Sequence, residues 1–335
     1  MTDKKSPITL SVIVPCYNVE QYLDLSLHCL ERQWEGRTDY EIIFVNDASK
    51  DGTIDRLKEF LLRYPDNVVV IDKQVNAGVS SARNSALDIA RGMWITFFDP
   101  DDVLADNSYA KLMALAEQND FDLIRFGVVV QNSVMEQIPV ISEPMQIDWQ
   151  GSTLEYMQRF KFGISCCYLY KRTVLEGHRY PPLTICEDTI FNVSVLLDNH
   201  PIAQTDSKVY YYIVRPTSAT NTINPARLNR HCDDIAYAIT NLEDLKKVQI
   251  ESVQNRIKAQ QFVFAANLLT RMLLSDKPLS DIKHKVSELK RIGLFPLPHD
   301  LPGADFMLRV MNIVYRFPFL IPLFRPIYRK HRNKG

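Results

Sequence analysis

The chain has 335 residues, with little glycine and no excess of acidic or basic residues. Only 11 glycines and 18 prolines are present, which excludes the collagen-like and low-complexity classes. The 39 basic and 40 acidic residues give a formal net charge of −1, so we do not expect a generally basic nucleic-acid-binding protein. Hydrophobic residues make up 46% of the chain, enough to build the core of one large or two medium domains.

The patterns that would indicate a disulfide scaffold, a zinc site or a membrane span are also missing. The six cysteines form no CxxC pair and share no zinc-site spacing with histidine, so a reducing compartment fits them best. No run of 18 apolar residues predicts a membrane-spanning helix, and Met1 to Pro7 carry no signal-peptide core. Together these features predict a cytoplasmic protein.

Four common catalytic or phosphate-binding motifs are absent. There is no GxGxxG, no GxxxxGK[ST] and no HExxH, so a dinucleotide fold, a P-loop and a zinc peptidase have no support. There is no GxSxG elbow, and the seven histidines are scattered.

The first 130 residues alternate short apolar runs with helical patterns. The runs predict strands at 10–14, 41–45, 67–71, 93–98 and 121–126. This order is typical of an α/β protein with a mostly parallel sheet flanked by helices, in which ligands bind outside the carboxyl ends of the strands. We therefore expect the polar loops 15–18, 46–51 and 99–102 to meet at one edge of the sheet.

The C-terminal third has a different pattern. From Asn224 onward the spacing of apolar residues predicts helices over 226–248, 252–274 and 279–289. We place a domain boundary near Asn224, with 1–223 before it and a helical region over 224–335 after it.

An acidic loop follows the fourth predicted strand. Asp99, Asp101 and Asp102 place three carboxylates within four residues, and a divalent cation would relieve their mutual repulsion. Such a cation can hold a diphosphate leaving group. The structural alternative is an Asp-rich turn in which Asp102 or Asp106 caps the next helix.

Four further polar residues carry weaker signals. Asp47 sits at a strand tip, where a carboxylate can accept hydrogen bonds from a base or a ribose. Arg83 on the third helix could pair with phosphate, although a surface ion pair is the commoner fate of a single arginine. Glu187 and Asp188 begin a helix and could supply a general base, or simply favourable charge at a helix N-terminus.

The order of these motifs strongly resembles the family 2 glycosyltransferases. The motifs are VPCYN at 14–18, VNDASKDGT at 45–53, NAGVSSARN at 76–84 and FDPDD at 98–102. The resemblance is close over about 8–130 and looser through CEDTIF at 186–191 and YYIVR at 211–215 with Ser218.

This resemblance implies a GT-A fold and inverting transfer of a sugar, usually from a UDP-sugar, to a hydroxyl of a glycan or lipid-linked acceptor in cell-surface polysaccharide synthesis. The donor would bind mainly to 8–130 and the acceptor to 131–223. The implied nucleotide-sugar contacts are Pro15, Tyr17, Asn18, Asp47, Arg83, Asp99, Asp101 and Arg215. Asp99 and Asp101 match the DxD motif that binds Mn²⁺ or Mg²⁺, and Asp102 extends it. Asp188 would be the catalytic base, with Glu187 beside it.

The last thirty residues form a basic, aromatic tail. Residues 306–335 contain seven Lys or Arg and no acid, so the rest of the chain has 39 less seven, or 32, basic residues against 40 acidic ones. Aromatic side chains beside this charge suit an anionic membrane surface, and we expect peripheral attachment. Pro318, Pro322 and Pro326 should interrupt any long helix. The alternative is a tail docked on the protein or on a second subunit, and homo-oligomerisation stays open.

Two other functions compete with sugar transfer. A nucleotidyltransferase on a related fold would need a glycine-rich, basic loop after the first strand, and VPCYN is not one. A nucleotide-binding scaffold subunit with an inactive site is the other, and the complete acidic set argues against it.

Overall fold

The computed structural model describes residues 7–132, 135, 137–215, 224–247, 249–298, 301 and 306–332. The chain divides into two compact units. The first unit comprises Met1–Leu183 and Glu187–Pro216, and the second comprises Thr184–Cys186 and Thr217–Gly335.

Within the described residues, the first unit contains a nine-stranded sheet in the order β3-β2-β1-β4-β8-β6-β9-β5, with β7 paired to β9. Its strands are β1 Leu10–Cys16, β2 Tyr40–Asn46, β3 Val68–Asp72, β4 Trp94–Phe97, β5 Val103–Leu104, β6 Leu123–Gln131, β7 Trp149–Ser152, β8 Tyr168–Lys171 and β9 Pro201–Ile213. Its helices are α1 Glu20–Glu31, α2 Thr53–Arg63, α3 Val79–Leu87, α4 Ser108–Glu117, α5 Thr153–Arg159 and α6 Glu187–Leu196.

The first four predicted strands form the parallel half of the sheet. β1 pairs with β2 and β4 in parallel, and β2 pairs with β3 in parallel. Every residue of β1, β2 and β4 is buried, as expected for strands covered by helices on both faces. The other half of the sheet is mixed, because β8 runs antiparallel to both β4 and β6.

Two short strands, β5 and β7, were not predicted from the sequence. β5 has two residues and β7 has four, so neither is long enough to show the alternation that predicts a strand. Both pair antiparallel with the long strand β9.

The second unit is helical, as its pattern predicted. Its helices are α7 Pro225–Lys246, α8 Glu251–Leu274, α9 Leu279–Arg291, α10 Phe306–Arg316 and α11 Ile321–Arg332. The Asn224 side chain caps α7 by accepting from the backbone N–H groups of Ala226 (3.0 Å) and Arg227 (3.2 Å). Pro318 separates α10 from α11 as predicted, whereas Pro326 lies inside α11.

No helix in the described part of the chain is long and apolar enough to cross a membrane.

Candidate functional site

The candidate site begins where β1 and β4 part. Their pairing ends at Ile13 and Phe97, while β1 continues beside β2 through Pro15 to Cys16. Proline has no backbone N–H to donate. Because β4 no longer runs beside β1 at Pro15, no hydrogen bond between these two strands is lost there. The separation leaves the loops after β1 and β4 free to carry polar side chains at the carboxyl edge of the sheet, where α/β proteins bind ligands.

The loops after β1 and β2 touch, which confirms that they share an edge. The Asn18 backbone N–H donates to Ser49 Oγ (3.0 Å), and the Asn18 side chain accepts from the Lys50 N–H (2.7 Å). Asn18 does not cap the next helix, because that side chain is used across the loops and α1 starts without a side-chain cap. Tyr17 beside it is exposed, with its ring available to stack on a ligand.

Asp47 lies at the end of β2 and is buried. Its carboxylate accepts from the backbone N–H groups of Ala77 and Gly78, the latter at 2.7 Å, and forms an ion pair with Lys73. It therefore holds the turn that leads into α3. Ala48 follows with a left-handed φ of 59°, a conformation that non-glycine residues adopt at a cost and that clusters at functional loops. Contact between Asp47 and a base stays a prediction.

Arg83 is the centre of the site. It lies on α3 with only 2% of its surface exposed, and its guanidinium contacts three carboxylates. Nη2 donates to Asp99 Oδ1 (2.9 Å), and Nη1 donates to both Glu187 Oε1 and Asp188 Oδ1 (3.0 Å each). Its planar, always charged group suits such a multiple contact. The alternative of a surface ion pair is wrong, because both Arg83 and its partners are largely withdrawn from solvent.

The carboxylates at the start of α6 have perturbed acidities. Burial raises the pKa of Glu187 to about 7, with a further rise from the neighbouring charge of Asp188 and an opposing effect from Arg83. Burial also raises the pKa of Asp188, against the lowering effect of Arg83. A carboxylate whose pKa is shifted toward neutrality is better suited to accept a proton.

The other two carboxylates of the acidic loop differ in environment. Asp101 is partly exposed and forms an ion pair with Arg215, with 3.1 Å between Oδ2 and Nη1. Burial and Asp99 raise the pKa of Asp101, and Arg215 lowers it. The Arg215 guanidinium also lies over the Tyr22 ring, 4.5 Å from its centroid. The predicted contacts Asp101 and Arg215 are thus adjacent.

Asp102 points inward. Its Oδ2 accepts from the Tyr210 hydroxyl (2.6 Å) and its Oδ1 from the Ile213 N–H (2.8 Å), so both oxygens are used to hold β9. Burial and its acidic neighbours raise the pKa of Asp102 to about 8. The alternative that Asp102 or Asp106 caps the following helix is wrong, because α4 starts after Asn107 without a side-chain cap. This placement leaves Asp99 and Asp101 as the accessible pair.

The donor set of that pair fits a divalent cation. Asp99 and Asp101 offer hard carboxylate oxygens at a partly exposed strand end, and Mg²⁺ or Mn²⁺ commonly takes one or two carboxylates with phosphate oxygens and water. Among the described residues no group of three or more His, Cys, Asp or Glu side chains forms a ready cage.

Several contributors were missed by sequence reasoning. Tyr180 lies under the Arg83 guanidinium (5.2 Å to the ring centroid) and stacks on Phe191. The Tyr210 hydroxyl joins Asp102 to the Asp99 backbone N–H. The sequence could have indicated Tyr210, because it adjoins the YYIVR segment. No spacing in the sequence links Tyr180 to Arg83. Ser218 lies outside the described residues.

The comparisons with known proteins agree with this architecture. The family model described as glycosyl transferase family 2 matches residues 11–179, half of the chain. The chain belongs to glycosyl transferase family 2 and is a glycosyltransferase, as the motif order predicted.

Two curated relatives are similar at about the same level. The uncharacterized glycosyltransferase EpsJ of Bacillus subtilis (strain 168) is 27% identical over 94% of this chain and 95% of that protein. The poly(ribitol-phosphate) beta-N-acetylglucosaminyltransferase TarS of Staphylococcus aureus (strain MW2) is 28% identical over 88% of this chain and 53% of that protein.

Solved structures show the same fold. S. aureus TarS 1–349 in complex with UDP has a TM-score of 0.63 at 19% identity, covering 98% of this chain and 92% of that one. The mannosyltransferase PcManGT from Pyrobaculum calidifontis, in complex with GDP-Man and Mn²⁺, has a TM-score of 0.54 at 13% identity and covers 96% of this chain and 89% of that one. The predicted GT-A fold with C-terminal helices is confirmed.

Proposed function

We propose that this glycosyltransferase moves a sugar from a UDP-sugar to an acceptor hydroxyl with inversion at the anomeric carbon, using Asp188 as the general base. One observation carries the proposal: Arg83 joins Asp99 of the acidic loop to the carboxylate pair that begins α6. The proposed leaving-group site and the proposed proton acceptor thus contact one buried cation through different guanidinium nitrogens, close enough to serve a single reaction centre.

Asp188 takes the proton of the acceptor hydroxyl as its oxygen attacks the anomeric carbon. The bond between that carbon and the diphosphate oxygen breaks, and the electron pair leaves with UDP. Burial and the charge of Asp99 raise the pKa of Asp188 despite the opposing effect of Arg83, so Asp188 is a stronger base than an exposed aspartate.

Asp99 and Asp101 would hold Mn²⁺ or Mg²⁺, which supplies charge stabilisation to the departing diphosphate when bound. Arg215 lies beside Asp101 and is suited to pair with phosphate. The exposed Tyr17 ring would stack on the nucleobase, and Pro15, Asn18 and the Asp47 turn would form the adjoining wall.

The relatives support the substrate classes. TarS is named for transfer to poly(ribitol-phosphate), and its structure holds UDP. We therefore propose a UDP-sugar donor and a hydroxyl-bearing glycan or lipid-linked acceptor of a cell-surface polymer. The enzyme would act in the cytoplasm, attached peripherally to the inner face of the membrane.

Calorimetric binding of a nucleotide and nucleotide-sugar panel, with and without Mn²⁺, tests the donor site. We expect UDP or one UDP-sugar to bind the wild-type protein with metal, and Asp101→Ala to lose that binding. Asp55→Ala, which removes an exposed carboxylate from α2, is the matched control and should bind normally. Failure of every nucleotide to bind would contradict the proposal.

Transfer assays with the donor so identified test the chemistry. Asp188→Asn should abolish transfer while nucleotide binding persists, whereas Asp55→Asn should retain both. NMR of the product should show the anomeric configuration opposite to that of the donor, and retained configuration would contradict inversion. A scaffold subunit would bind nucleotide yet transfer nothing in the wild-type form.

A further inference from the structure

The C-terminal segment packs on the helical unit through one side. The Tyr315 hydroxyl donates to the Leu269 carbonyl (2.5 Å), and the Asn312 side chain exchanges hydrogen bonds with the Leu297 backbone at 3.0 and 2.9 Å. Met311, Val314, Ile321 and Tyr328 are buried on the same side. The segment is therefore docked, and what it presents outward is a defined surface.

Two arginines of the segment serve this docking. Arg325 and Arg329 each donate through Nε to the Leu273 carbonyl, at 3.2 and 3.0 Å, and both also donate to the Ser275 carbonyl. These carbonyls end α8, where backbone acceptors lack partners within the helix and cations are favourable. Arg325 and Arg329 thus fulfil a structural role in the protein.

The opposite side of each helix is apolar and basic. The outward face of α11 carries Leu323 and Ile327, exposed by 70% and 66%, together with Lys330. The outward face of α10 carries the exposed Ile313 between Arg309 and Arg316. We call these two outward faces, with Phe317 and Phe319 of the turn between them, the outer tail surface.

Burial of the outer tail surface would be favourable, and its apolar and basic composition indicates which kind of partner would cover it. Phe319 is 70% exposed, and solvent contact with so many large apolar side chains in one segment marks an interaction surface. Residues 306–335 contain no acid. A second copy of the same surface would bring cation against cation, whereas an anionic bilayer neutralises the cations and accepts the apolar groups.

We infer that the outer tail surface binds an anionic lipid bilayer, with Phe319, Leu323 and Ile327 inserted at the headgroup boundary and Arg309, Arg316 and Lys330 among the phosphates. This inference rests on the peripheral attachment in the proposed function and names the surface responsible. Neither donor binding nor the chemistry of transfer depends on it.

Co-sedimentation of the full chain with vesicles tests it. We expect binding to vesicles of phosphatidylcholine and phosphatidylglycerol, much weaker binding to phosphatidylcholine alone, and release at high salt. Leu323→Gln/Ile327→Gln should lower partitioning at least about tenfold, because two apolar anchors are lost. Arg316→Gln/Lys330→Gln should lower it by about fivefold per cation on anionic vesicles only.

The controls separate this inference from its rivals. Leu62→Gln, at an exposed apolar position of α2, should pellet like the wild type. All variants alter exposed side chains, so their melting temperatures and UDP binding should match the wild type. Equal pelleting of the wild type and Leu323→Gln/Ile327→Gln would overturn the inference. So would light scattering that shows a wild-type dimer converted to a monomer by that variant, because the surface would then be a subunit interface.

Discussion

Arg83 and Asp188 are 105 positions apart in the chain, yet Arg83 Nη1 lies 3.0 Å from Asp188 Oδ1. The same guanidinium reaches Asp99, 16 positions away. Arg83 therefore ties the proposed base to the proposed metal-binding loop through one rigid, buried group. This is a different role from the phosphate contact that the sequence predicted, and substitution can distinguish the two.

Arg83→Met should destabilise the protein by about 3–5 kcal/mol, because three buried or partly buried carboxylates lose their cation. Arg83→Lys retains the positive charge but not the planar guanidinium that contacts both Asp99 and the pair at the start of α6. We therefore expect a smaller loss of stability and a fall in kcat of at least about tenfold. Urea denaturation and steady-state kinetics measure these effects. A large rise in KM for the donor at constant kcat would instead favour direct phosphate binding.

Glu187→Gln should leave the acidic limb of the kcat/KM profile in place. The charge of Asp188 helps to raise the pKa of Glu187 to about 7, so Asp188 ionises first, beside a neutral neighbour that glutamine preserves. Profiles of the wild type, Glu187→Gln and the control Asp55→Asn would test this. A limb that moved in Glu187→Gln alone would mean that Glu187 is charged when the base ionises.

Glu187 should also make stability depend on pH. Its folded-state pKa of about 7 lies above the ordinary glutamate value, so its contribution to the free energy of unfolding is present in acid and lost as pH rises through about 7. In Glu187→Gln this decline, on the order of 2 kcal/mol, should disappear. Denaturant titrations between pH 5 and pH 8 can test it, and a decline of the same size in the variant would assign it elsewhere.

Asp101→Asn and Asp102→Asn should have opposite effects despite their adjacency. Asp101→Asn removes a proposed ligand and should weaken metal-dependent UDP binding at little cost in stability. Asp102→Asn disturbs a buried carboxylate that holds Tyr210 and Ile213, so it should cost about 1–3 kcal/mol and leave binding largely intact. Calorimetry of UDP binding with and without metal, together with thermal melts, measures both effects in each variant. Lost metal dependence in a stable Asp102→Asn would restore Asp102 as a ligand.

Asp47→Ala should destabilise the loop that leads into α3. The change leaves Lys73 and the N–H groups of Ala77 and Gly78 without their buried acceptor, at a cost of about 2–3 kcal/mol. Hydrogen exchange should rise at residues 77–82. If the melt and the exchange stayed unchanged while only nucleotide selectivity altered, base recognition would be the main role of Asp47.

The acidic loop, the parallel strands and the C-terminal helices could all be predicted because each depends on local order. Strand runs and loop residues recur along the chain at short spacing, and parallel pairing then places the loops 15–18, 46–51 and 99–102 at one edge. Asn18 could not be predicted in the same way. Its type suits a helix cap, but the neighbouring loop offers the Lys50 N–H, and that tertiary contact prevails.

The sequence by itself determined the family, the order of the parallel strands, the C-terminal helices, and the residue types available for binding a diphosphate and accepting a proton. Only the tertiary structure decided how those side chains are used. It turned Asp102 inward onto Tyr210, left Asp101 accessible, and buried Arg83 among three carboxylates. The reason is that burial and hydrogen-bond partners come from remote segments, and in a low-dielectric interior those partners decide the charge and orientation of a side chain.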